Sequence, residues 1–167
     1  MAVAFEIAII VLLLLVNGFF AMSEMAIVSA RRPRLQAWAE DGRRGAATAR
    51  RLAENPSRFL SSVQIGITVG GILGGGFGGA TLAEVLAVEL SGIALLAPIA
   101  EGLSIAVVVG LITYGSLIIG ELVPKQIALS HPEAVAAAVA GPMTVLAKAA
   151  APVVWLLESS SRLAMAI

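Results

Sequence analysis

Two carboxylates stand where a carboxylate is expensive. Glu24 and Glu121 each lie toward the end of a long apolar run, and every residue from 102 to 120 is uncharged until Glu121 is reached. A charge at mid-membrane costs ~2.5–3.5 kcal/mol on insertion scales, so an acid at such a position marks a site by default. Around it the chain reads Ile119-Gly120-Glu121-Leu122-Val123-Pro124-Lys125. Proline lacks an N–H and collides with the carbonyl four residues earlier, so Pro124 is expected to break the helix and free the Gly120 oxygen beside the Glu121 carboxylate. A freed carbonyl at membrane depth must be met by protein, water or an ion, and irregular backbone survives there where it lines a cavity.

The other apolar runs carry polar groups at a similar level. Asn17 and Glu24 share one helix face with Ser23 one step round, and Ser61, Gln64 and Thr68 share a face at helical spacing. One carbonyl, one carboxylate and several hydroxyls make an all-oxygen set, which suits Mg²⁺, Ca²⁺ or Na⁺ and not zinc or copper. Thiolate ligation is excluded by the absence of cysteine, and the one histidine, His131, reads as a surface residue beyond the run. Plainer readings stay open for both acids. Glu121 and Lys125 are four apart with the acid first, the spacing of an ordinary interfacial pair, and Glu24 is near enough to Arg31 to be a solvated end residue. No paired nucleophile and base, phosphate loop or HExxH is present, so no enzymatic activity is expected.

The elements that must hold these groups follow from composition: 59% apolar and 13% charged residues, with a mean hydropathy of +0.96, describe a membrane chain. Spans of ~20 apolar residues fall at about residues 5–28, 59–83 and 102–123. The first is not a cleavable signal, because no Lys or Arg precedes it and Ala21-Met22-Ser23-Glu24 continues it. Arg31, Arg32, Arg34, Arg43, Arg44, Arg50, Arg51 and Arg58 crowd the loop after span one, whereas Glu84, Glu89 and Glu101 follow span two with no base among them. The positive-inside rule then puts the N-terminus outside and the C-terminus inside.

The loop at residues 31–57 is expected to be a cytoplasmic-side helical hairpin, one helix opened by Pro33 and one near 46–52, with Asp41-Gly42 as the turn and Asn55-Pro56 as the stop. Its arginines alternate with alanine, Leu35 and Trp38, the composition of a surface facing anionic lipid rather than nucleic acid. Residues 125–165 are apolar but interrupted by Pro142, Lys148 and Pro152. They are expected to lie along the inner face as juxtamembrane helices, with Lys148 snorkelling and Trp155 as an anchor, a fourth crossing being the alternative. The fold class is thus an all-α membrane protein with three transmembrane helices, a single domain over 1–167. In span two Gly66, Gly70, Gly74 and Gly78 recur every four residues. Such spacing makes a close packing face, within one chain or at a homodimer seam, and so many glycines also loosen a helix as in transporters.

Three motifs in order carry a family resemblance: NGFFAMSEMAIVSARRPRL in span one, NPSRFLSSVQIGITVGGILGGGFGG in span two and GELVPKQIALSHPEAVA after span three. They resemble the transmembrane domain of the CorC/CNNM family, from about Asn17 to Val139. The resemblance implies magnesium efflux proposed to be driven by sodium, a homodimer of three-span domains in the plasma (inner) membrane, and a belt-like juxtamembrane helix. It further implies that Glu121 is a principal Mg²⁺ ligand, that Ser23 contributes a hydroxyl and that Gly120 offers a carbonyl. Ala21 stands where many bacterial members carry serine, so no ligand is carried over to it. Thr68 or a neighbour is expected to add a hydroxyl and Glu24 to serve Na⁺, with the dimer formed through span three and the glycine-rich span two. Members usually continue into a cytosolic pair of CBS modules; this chain is expected to be the membrane domain alone. A membrane anchor or regulatory module without transport activity is the alternative.

Overall fold

The computed structural model describes residues 2–165, and every element among them is helical. In chain order these are α1 (Ala2–Ser29), α2 (Arg32–Glu40), α3 (Ala46–Glu54), α4 (Pro56–Leu73), α5 (Gly79–Ser91), α6 (Ala100–Leu117), α7 (Val123–Ser130) and α8 (Pro132–Met165). Five-residue π turns, Gly74–Gly78 and Ile118–Leu122, join α4 to α5 and α6 to α7 without interrupting the helical path. Four stretches are long and apolar enough to cross a bilayer: Val3–Ser29, Pro56–Ser91, Ala97–Ser130 and Pro132–Leu163. The sequence expectation of three leaves the last of these along the surface, whereas length and composition alone admit it.

The chain packs as two compact units, Met1–Phe19 with Ile67–Pro124, and Phe20–Gly66 with Lys125–Ile167. In the first, small residues bring helices together. A Cβ added at Gly70 would meet Asn17 Oδ1, and one at Gly78 would meet the Ile10 side chain, while at Gly74 it would lie 3.9 Å from Leu13 Cδ1. Lipid offers apolar surface as readily as another helix does, so close van der Waals approach is what makes such a face adhere. Gly71, Gly75 and Gly76 have open space instead. The four-residue ladder is therefore an intramolecular packing face. Beyond the π turn, α5 pairs with α6, burying Ala83, Ala100, Ser104 and Val108. The Ser104 hydroxyl donates to the Glu101 carbonyl at 2.8 Å, which satisfies it inside apolar surroundings.

The second unit is a basic hairpin seated on a long helix. Pro33 lies in the first turn of α2, Asp41 caps its end, and Gly42 supplies the φ of +73° that the turn requires. Leu35, Ala46, Ala49 and Ala53 are buried, and α3 packs on α8, whose Ala136, Val139, Ala140 and Met143 are buried too. Gly45, at φ +78°, lets the hairpin backbone run against the Ala137 carbonyl. At the start of α8, Glu133 is 3% exposed; its Oε1 accepts from the Arg31 backbone N–H at 3.3 Å and its Oε2 lies 3.5 Å from Arg34. A carboxylate in the first turn also favours the helix dipole. Arg34 and Arg43 stack on the Trp38 ring, 5.3 and 4.4 Å from its centroid.

Pro142 and Pro152 lie inside α8, which runs through both as one helix. The prolines interrupt the apolar run without ending the helix, since local adjustment of the backbone accommodates a missing helix bond. The Thr144 hydroxyl donates to the Ala140 carbonyl at 2.7 Å, which satisfies the hydroxyl within the helix.

Candidate cation site

The third apolar helix does not break at its proline. A π turn pairs each residue with the fifth one on instead of the fourth, accommodating one extra residue, and the Val123 N–H donates to the Ile118 carbonyl in this way. The next pair in that register joins Pro124 to Ile119, and Pro124 has no N–H to give. The helix widens and continues to Ser130. The expected break is thus replaced by a widened turn. On α1, Gly18 marks how close the neighbouring backbone comes: a Cβ there would lie 2.6 Å from the Ile119 oxygen and 3.0 Å from Pro124 Cγ. Gly120 is buried, and a Cβ on it would stand 3.6 Å from each of Asn17 Cβ, the Leu14 carbonyl and Ser116 Oγ.

Asn17 is the polar group enclosed at this crossing. It is 7% exposed, lies between Gly70 of α4 and Gly120 of the π turn, and its Oδ1 is buried with no hydrogen-bond partner. The sequence placed Asn17 on a polar face but gave it no task; an amide following an aliphatic run was the signal. Glu121 occupies the same π turn and Thr68 the same α4, both exposed. Ser23, fully buried, and Glu24, partly exposed, belong to the other unit. Among the described residues no three Asp, Glu, His or Cys side chains gather to hold a metal. An ion at Glu121 would therefore draw its remaining ligands from carbonyl, amide and hydroxyl oxygens, which a hard cation accepts.

Electrostatics favour a cation in this unit. Glu6, Glu84, Glu89, Glu101 and Glu121 are its only charged residues, whereas every lysine and arginine falls in the other unit. Charge of one sign raises the local concentration of the opposite ion, most strongly in clefts with low-dielectric walls. Such a cleft, of about 620 Å³, lies between α5 and α6, with Glu84 and Glu101 set among Ala80, Ala83, Ala87 and Ala100.

Residues 8–167 match the family described as the cyclin M transmembrane N-terminal domain. A UPF0053 protein of Synechocystis is 54% identical over 160 residues, covering 96% of this chain and 36% of that protein. The polyamine export protein of Haemophilus influenzae is 32% identical over 154 residues, covering 90% and 34%, and that of Escherichia coli 31% identical over 150, covering 90% and 33%. The chain spans about a third of the length of these curated relatives.

Proposed function

Because the chain belongs to the cyclin M transmembrane domain family, we propose that it moves Mg²⁺ out of the cell in exchange for inward Na⁺. The observation that carries this is the π turn: after the uncharged residues 102–120, Glu121 brings a charge to the turn where Gly120 meets Asn17. In this account Glu121 supplies charge, Gly120 a carbonyl, and Thr68 and Ser23 hydroxyls, while Glu24 serves Na⁺. Mg²⁺ is the cargo, and transport involves no covalent chemistry. The chain lies in the plasma membrane, N-terminus outside, and works as a homodimer joined through span three and the open face at Gly71 and Gly75.

Three crossings are favoured over four by the company α8 keeps. Its first turns pack on α2 and α3, the hairpin region that carries Arg31 through Arg51. Arginines are costly in hydrocarbon, so a helix lying along them is held at the inner interface over those turns. Na⁺-dependent Mg²⁺ flux in liposomes containing the full chain, lost in Glu121→Ala, is the expected result. Absence of flux under every gradient would instead favour a membrane anchor.

A second reading has its own observation. Two relatives near 30% identity are named as polyamine exporters, and the cleft at Glu84 and Glu101 offers two carboxylates on small-residue walls, which suits an elongated diammonium. Movement of putrescine without Mg²⁺ flux in the same liposomes would select it.

A further inference from the structure

The Asn17 oxygen has no assigned partner in a place where polar groups need one. Within the membrane each unsatisfied backbone or side-chain polar group costs several kcal/mol, and buried acceptors in folded proteins are overwhelmingly bonded. Asn17 is nevertheless buried to 7% exposure with Oδ1 unpartnered. Gly70 and Gly120 present backbone without side chains, so neither neighbour brings a donor on a side chain. A carboxamide oxygen has no proton to give. Its missing partner must either donate a hydrogen bond or carry positive charge, and the unit around it contains acids and no bases.

We propose that the Asn17 carboxamide oxygen is a direct ligand of the transported cation, a bare metal ion or an ammonium group, at the crossing of α1, α4 and the Ile118–Leu122 π turn. This rests on cation transport as the function and adds a residue to the site around Glu121. A neutral amide oxygen binds either kind of cation without adding charge, so it tolerates release as well as capture. Asn17 and Glu121 then divide the work, the amide replacing part of the hydration shell and the carboxylate balancing the charge. The vacant acceptor is the cost of the unoccupied state, and binding removes it.

Asn17→Leu tests this, because leucine matches the branched shape and removes the acceptor. Replacing an unsatisfied buried polar group by an apolar one of similar shape is neutral or stabilising. The full-length variant in lipid nanodiscs should thus melt at the same temperature as wild type or higher when no cation is added. Its affinity for the cation that stabilises wild type, tested separately with Mg²⁺, Na⁺ and putrescine, should fall by roughly tenfold or more, the worth of one hydrogen bond or dipole contact to a charge. The three arms tell a metal ion from an ammonium. A lower melting temperature without cation would mean a structural acceptor and would overturn the proposal. So would unchanged affinity, the result expected if water alone meets the oxygen; if Glu121→Ala lost binding in that same experiment, cation transport would stand while the role of Asn17 fell. Failure of wild type to respond to any of the three would overturn both.

Discussion

The two units of the chain spend small residues and charge in opposite ways. In Met1–Phe19 with Ile67–Pro124, the charges are all acidic and glycines bring α4 and the π turn against α1 around an amide with no partner. In Phe20–Gly66 with Lys125–Ile167, a glycine and three buried alanines set the hairpin on α8, and the buried carboxylate of Glu133 is bonded. Close packing serves rigidity in the second unit, where the Glu133 carboxylate and the Ser62 hydroxyl are both bonded. In the first it leaves an acceptor open. A satisfied buried group specifies structure, whereas an unsatisfied one is costly unless something else binds there.

The sharpest way to break this contrast is Gly45→Ala. Its Cβ would run into the Ala137 carbonyl at a φ of +78°, combining left-handed strain with overpacking against backbone, for a loss of about 3 kcal/mol. A thermal melt should show that loss. Next, Gly70→Ala pushes on the Asn17 oxygen; overpacking of about 1–3 kcal/mol is expected, and cation affinity should fall with it. If affinity survives a clear drop in stability, the crossing is packing alone. Glu133→Ala removes the acceptor of the Arg31 N–H at a cost of about 1–2 kcal/mol, measured by denaturation, whereas Glu133→Gln retains an acceptor and should lose less. Cation binding should be unaffected by either. The smallest effect belongs to Gly71→Ala, where a Cβ meets nothing. Helix propensity should raise the stability of a single chain by up to about 1 kcal/mol; a weakened dimer in size-exclusion light scattering would place the seam on that face.

Apolar run length made the all-helical membrane class readable, and the hairpin was readable because Pro33, Asp41-Gly42 and Asn55-Pro56 each have a local task. The four-spaced glycines announced a packing face without saying which helix it meets. The π turns were not readable, since a widened turn shifts register by one residue and leaves the apolar pattern of a uniformly hydrophobic helix unchanged. Pro124 was therefore expected to end what it only widens. Glu133 escaped notice for another reason: its partner Arg31 is 102 residues away in sequence, and a glutamate after a proline looks like any helix start. Asn17 stood out in composition, but the vacancy of its oxygen depends on three separate helix segments meeting.

The account stands on Glu121 as the charged ligand. Calorimetric titration of Mg²⁺ into the full chain in nanodiscs, wild type beside Glu121→Ala, addresses it most directly. Saturable binding that disappears in the variant is the predicted result; equal affinity in the two proteins would contradict it.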